Sequence, residues 1–183
     1  MAKLNETNEN TRKIMHLMIT DKCNRKCPLC CNNQYDINDI PVASNEDFKN
    51  AETLYLTGGE PFAYEDPCFI ARITKDMFPN IKKVRVYTNA FELWVFLITN
   101  EKFKIHDIDG LTISIKTKHD LTAFRDYLIK RPDIINLESN WVYVFHPFED
   151  MEVPEGFHKE IREWQEDFIP EPNSIFRKLG FFK

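Results

Sequence analysis

Cys23-Asn24-Arg25-Lys26-Cys27-Pro28-Leu29-Cys30, followed one strand later by Thr57-Gly58-Gly59-Glu60-Pro61, decides how this chain reads. The cysteine run follows Ile14 to Thr20, a short apolar stretch that reads as the first strand. The glycine pair ends a second strand-like run, Thr53 to Leu56. Four of the five cysteines fall between Cys23 and Cys31, in a polar loop rich in Asn and Asp. Such crowding favours metal ligation over a disulfide framework. Three thiolates in one loop suffice to hold three irons of a [4Fe–4S] cluster and leave the fourth iron open. The other metal reading is zinc held by Cys23, Cys27, Cys30 and Cys31. Adjacent cysteines fit a single tetrahedral ion awkwardly, and no second Cys-x-x-Cys pair lies elsewhere. Cys31 is then a spare thiol beside the cluster, and Cys68, after Pro67, reads as a small apolar residue.

The chain has 183 residues and five glycines, two of them the adjacent Gly58 and Gly59. Glycine admits positive φ and close backbone approach. At a strand end, where α/β folds form their ligand crevices, that freedom suits a binding turn; an ordinary tight turn is the alternative.

This length supports one domain of ordinary size. Hydrophobic residues make up 43%, with 15 Phe, 6 Tyr and 3 Trp to bulk out a core. A net charge of −5 argues against a general nucleic-acid footprint. No apolar run reaches the length of a membrane span, and the first residues lack a signal-peptide apolar region. The expected location is the cytoplasm, where thiols stay reduced.

Strand-like and helix-like segments alternate. Further strands are expected at Ile81 to Tyr87, Leu111 to Ile115 and Trp141 to Phe145, with a sixth at Ile134 to Leu137. Helices are expected over Ser44 to Glu52, Asp66 to Met77, Ala90 to Thr99, Leu121 to Arg131 and Glu155 to Phe168. This alternation predicts an α/β fold with βα units on a mainly parallel sheet of about five to six strands. A complete (β/α)₈ barrel needs about 200–250 residues or more, so an open partial (β/α) barrel is expected. The organisation reads as a mobile arm over 1–12, the barrel domain over 13–168, and an aromatic C-terminal tail over 169–183. The tail residues Phe176, Leu179, Phe181 and Phe182 are expected to pack on the domain, with docking to a partner as the alternative.

The cysteine run and the Gly58-Gly59-Glu60-Pro61 turn together resemble the radical S-adenosylmethionine (radical SAM) enzymes, over roughly Ile14 to His146. The resemblance implies a partial barrel and a [4Fe–4S] cluster on Cys23, Cys27 and Cys30. It implies SAM bound at the open iron and cleaved by one electron to methionine and a 5′-deoxyadenosyl radical, which takes hydrogen from the substrate. It also places Gly58, Gly59 and Glu60 against the SAM amino group. Thr88-Asn89 resembles a Thr-Asn-Gly turn of small activating enzymes and 7-carboxy-7-deazaguanine synthases, with Ala90 replacing the glycine. Asn89 is therefore a candidate SAM contact, or a helix cap. Ser114 and Lys116, two apart on one side of a strand, resemble a pair that faces SAM in the same subgroups; a solvated Lys116 is the alternative. His146 is a candidate contact for adenine, ribose or substrate, or a structural histidine. Tyr35 is a weaker candidate to close over SAM. The implied partners are a small-molecule substrate and an external electron donor of the flavodoxin or ferredoxin type. The alternatives are an activating enzyme that installs a glycyl radical on a partner protein, and a zinc-binding interaction module.

Overall fold

The computed structural model describes residues 13–28, 30–100, 105–164 and 172–180. Seven strands lie in one sheet: Ile14–Thr20 (β1), Thr53–Gly58 (β2), Lys83–Asn89 (β3), Gly110–Ile115 (β4), Ser139–Val144 (β5), Phe157–Ile161 (β6) and Ser174–Lys178 (β7). Their order is β6-β5-β4-β3-β2-β1-β7, and every neighbouring pair is parallel. The sheet is that of a barrel opened between its last two strands, so β6 and β7 are the free edges. The expected open α/β barrel is present, with seven strands rather than five or six.

Helices occur at Asn45–Asn50 (α1), Pro61–Tyr64 (α2), Pro67–Met77 (α3), Ala90–Thr99 (α4), Lys118–Asp126 (α5) and Pro132–Ile135 (α6). Their starts follow from local chemistry. Ser44 with Asp47 and Thr117 with Asp120 form capping boxes, while Asp66 and Asn89 cap α3 and α4 with their side chains. Pro67 and Pro132 occupy first turns, where a missing N–H costs nothing.

Because β1 to β6 advance in one direction and parallel crossovers are right-handed, the helices gather on one face. There Leu17, Leu54, Leu56, Val86, Leu111, Ile113 and Val142 pack with Ala71, Leu93, Ala123 and Phe124 of the helices. The alternating residues of the other face include Tyr55, Arg85, Tyr87, Trp141 and Tyr143. Neighbouring rings there stand 5.8 Å (Tyr55–Tyr87) and 6.2 Å (Tyr87–Tyr143) apart, and the Arg85 guanidinium lies over Tyr55 and Trp141.

Two expectations need correction. Ile134 to Leu137 is no strand: Pro132 starts a helical turn there, and Ile134 is fully buried beneath it. The helix expected over Glu155 to Phe168 is replaced by β6. Gly156, at φ +91, turns the chain, and Phe157 to Ile161 then add to the free edge of β5; residues 165–168 lie outside the described residues. Within the C-terminal tail, Ser174 to Lys178 form an edge strand that pairs along β1, with Ile175 buried. Phe181 and Phe182 lie outside the described residues, as does the 1–12 arm.

Candidate functional site

The cysteine loop leaves β1 at the carboxyl edge of the sheet, where open α/β folds place their ligands. It is zipped onto the turn that ends β2. Gly59 N donates to Thr20 O at 2.8 Å, and Glu60 N donates to Lys22 O at 2.9 Å. The returning leg is tied to the same turn, because Asn32 Nδ2 donates to Gly58 O at 3.1 Å while Tyr35 donates to Asn32 Oδ1. This closeness explains the paired glycines. Gly58 has φ +135, and a β-carbon on it would stand 2.0 Å from Thr20 O. The two glycines thus serve the approach of the cysteine loop itself.

Two further anchors hold the first half of the loop, and both come from the third residue of a helix. Asn24 Nδ2 donates to Glu92 of α4. Arg25 donates through both terminal nitrogens to Asp120 of α5, at 2.6 and 2.7 Å. Asp120 is fully buried and the Arg25 side chain is 16% exposed. Removing one member of such a pair costs about 3–5 kcal/mol, because the other is left charged and unpaired. Sequence reading missed Asn24, Arg25, Glu92 and Asp120 as site residues. The Thr117-x-x-Asp120 capping box, directly after β4, was the available signal.

Glu60 is turned into the protein. Oε1 accepts from Thr88 Oγ1 at 2.5 Å and Phe62 N at 3.4 Å; Oε2 accepts from Asn89 N at 3.0 Å and Asn89 Nδ2 at 2.5 Å. Burial, with Glu92 nearby adding to it, pushes this carboxyl up to about 7 against those donors. Asn89 is a helix cap here: its Oδ1 accepts from Glu92 N at 2.9 Å, and its amide holds Glu60. Lys22, Glu60, Asn89, Glu92 and Asn24 therefore form a hydrogen-bonded circuit that ties down the residues on either side of Cys23.

The three thiols of interest share this loop. Burial raises the pKa of Cys23, and thiolates at Cys27 and Cys30 raise it further, as does Glu60. Cys30 is lowered to about 6 by its hydrogen bond with Cys31 and, against burial, by the Lys116 ammonium. The same hydrogen bond, with burial, raises Cys31. Among the described residues no three His, Cys, Asp or Glu side chains stand at the spacing of a metal-ligand set. The chemistry of the donors fits an iron–sulfur cluster nonetheless: three sulfurs in one short loop, with Cys27 and Cys30 both felt electrostatically by Cys23, and an open cleft alongside Cys27.

That cleft has a volume of about 460 Å³. Cys27 and Pro28 line one side, Lys116 and Thr117 another, with Phe91, His119 and Trp164 around them. Lys116 Nζ lies 5.2 Å from the Phe145 ring centre and 5.3 Å from that of Trp164. It is half-buried, not the solvated lysine of the alternative reading. Ser114 sits two residues earlier, in register with Asn89 on β3 and Tyr143 on β5. His146 is not gathered into the site. It lies two residues beyond β5 with its side chain 83% exposed and pairs with Glu149 at 2.8 Å. Cys68 is core, 1% exposed on α3.

No protein-family model matches this chain, and no curated protein matches it significantly.

Proposed function

We propose that this chain is a radical SAM enzyme that acts on a small molecule. One observation carries the reading: the cysteine loop is docked on the Gly58-Gly59-Glu60 turn by paired backbone hydrogen bonds, at the carboxyl edge of an open parallel sheet. Cys23, Cys27 and Cys30 would hold the [4Fe–4S] cluster. When bound, cluster and SAM supply reductive cleavage of a sulfonium and a radical able to take hydrogen from carbon.

The chain's own residues bind, orient and shield. Lys116 presents a cation to a carboxylate across the cleft from Cys27. The rings of Phe145 and Trp164 stack against the Lys116 ammonium and hold it in place, and Phe91 lines the cleft. Glu60 and Asn89 fix the backbone on which the loop rests and face the protein rather than a ligand. Ser114 and Lys116 at the end of β4, with the aromatic and cationic inner face of the sheet, favour a small-molecule substrate. An external donor of the ferredoxin or flavodoxin type would supply the electron, in a compartment that keeps thiols reduced, as the cytoplasm does. No described helix is long and apolar enough to cross a membrane.

Anaerobic reconstitution tests the metal half of the proposal. About four irons with matching sulfide are expected per chain, lost in Cys23→Ala and retained in Cys31→Ala and Cys68→Ala. Zinc bound through four thiolates, without charge-transfer absorption after reconstitution, would overturn it.

A further inference from the structure

We infer that Asp120 and Arg25 are positioning residues that set the width of the ligand cleft, a reading that rests on the radical SAM proposal above. As the third residue of α5, Asp120 needs only to close its capping box with Thr117. It does more. One oxygen accepts from Arg25 Nη1 at 2.6 Å, Lys116 N at 3.1 Å, Thr117 N at 3.0 Å and Thr117 Oγ1 at 2.9 Å. The other accepts from Arg25 Nη2 at 2.7 Å and Phe91 N at 3.4 Å.

A single buried carboxylate thus joins the cysteine loop, the start of α4 and the end of β4. Those are the walls of the cleft: Cys27 and Pro28 follow Arg25 on one side, and Lys116 and Thr117 form the other. The planar guanidinium fork permits one docking geometry, whereas an ammonium accepts many. The Arg25–Asp120 pair therefore fixes where Cys27 stands relative to the backbone of Lys116. Arg25 itself lines the cleft, and through Asp120 it also fixes the backbone of Lys116 on the facing wall.

A double-mutant cycle on SAM affinity tests this, using equilibrium dialysis of cluster-loaded protein. Arg25→Lys keeps the charge and loses the fork. It should weaken SAM binding by about 10–100-fold, as loss of outer-shell support does at metal sites, while iron content and melting temperature stay at wild-type values. Lys116→Met should also weaken binding. The double variant should bind no worse than the poorer single variant, because residues that act through one another are not additive. Multiplied losses in the double variant would overturn the inference, and so would iron loss in Arg25→Lys. If Arg25→Lys does not fold, the paired change Arg25→Gln with Asp120→Asn, which strands no buried charge, takes its place.

A second arm needs no cofactor. In cluster-free protein, iodoacetamide should alkylate Cys27 faster in Arg25→Lys than in wild type, with Cys31 unchanged. An unchanged Cys27 rate overturns the clamp. Wild-type protein that fails to bind SAM, but shows the Cys27 effect, contradicts the radical SAM reading instead.

Discussion

A β-carbon on Gly59 would stand 1.9 Å from the carbonyl oxygen of Lys22. The contact is backbone against backbone, so no side-chain rotation relieves it. Gly59→Ala must therefore lift the cysteine loop off the turn and break the hydrogen bonds at Thr20 O and Lys22 O. The expected cost exceeds about 2 kcal/mol, at the severe end for single substitutions. Gly180→Ala is the control, since its β-carbon would meet only Val42 Cγ1 at 3.4 Å; it should stay within about 0.5 kcal/mol. Denaturant unfolding of the two cluster-free variants measures both. A Gly59→Ala protein as stable as its parent would mean that the loop is not seated on the turn.

Glu60 makes stability depend on pH in an unusual direction. Burial raises its folded pKa to about 7 from 4.5, with Glu92 adding to the shift and Thr88, Asn89 and Phe62 opposing it. The folded state then holds the proton more tightly than the unfolded chain does. Its contribution to stability is fully present below about pH 4.5 and is lost as pH rises through about 7. Glu60→Gln cannot titrate. The stability of wild type relative to Glu60→Gln should therefore decline between pH 4.5 and 7.5 in cluster-free protein, where Cys23 and Glu92 are the other ionisable neighbours. A difference that stays level or grows across that window would contradict the assignment of a buried, readily protonated Glu60.

Much of this was legible in the sequence because periodicity and caps are local. Ala90 to Thr99 is α4 to the residue, and Ser44 with Asp47 announced α1. The edges were not legible. Phe157 to Ile161 and Ser174 to Lys178 are strands because β5 and β1 offer them open ladders, and their charged, alternating residues carry no sign of those partners. In the site, the loop and the glycine turn could be read from spacing. The inward turn of Glu60 could not: it depends on Thr88 and Asn89 arriving beside it from β3, a long-range consequence of sheet order. The Arg25–Asp120 pair, ninety-five positions apart, was hidden for the same reason.

The last strand should be part of the fold rather than an appendage. β7 pairs with β1 over five positions, and Arg177 Nε and Nη2 reach Asp47 Oδ1 at 3.1 and 3.0 Å with both side chains largely buried. Deleting residues from Ile175 onward should expose the β1 edge, lower the melting temperature and promote aggregation. Arg177→Met should cost about 1–3 kcal/mol through the stranded Asp47 carboxylate. A soluble truncation with an unchanged melting temperature would instead make the tail a docking segment and favour a protein substrate.

The central claim is that this loop and turn perform SAM chemistry. It is tested most directly by incubating anaerobically reconstituted protein with SAM and a strong reductant, then looking for 5′-deoxyadenosine by mass spectrometry. Release of 5′-deoxyadenosine from wild type, absent in Cys27→Ala, is the predicted result. Intact SAM in the presence of a fully loaded, reduced cluster would contradict it.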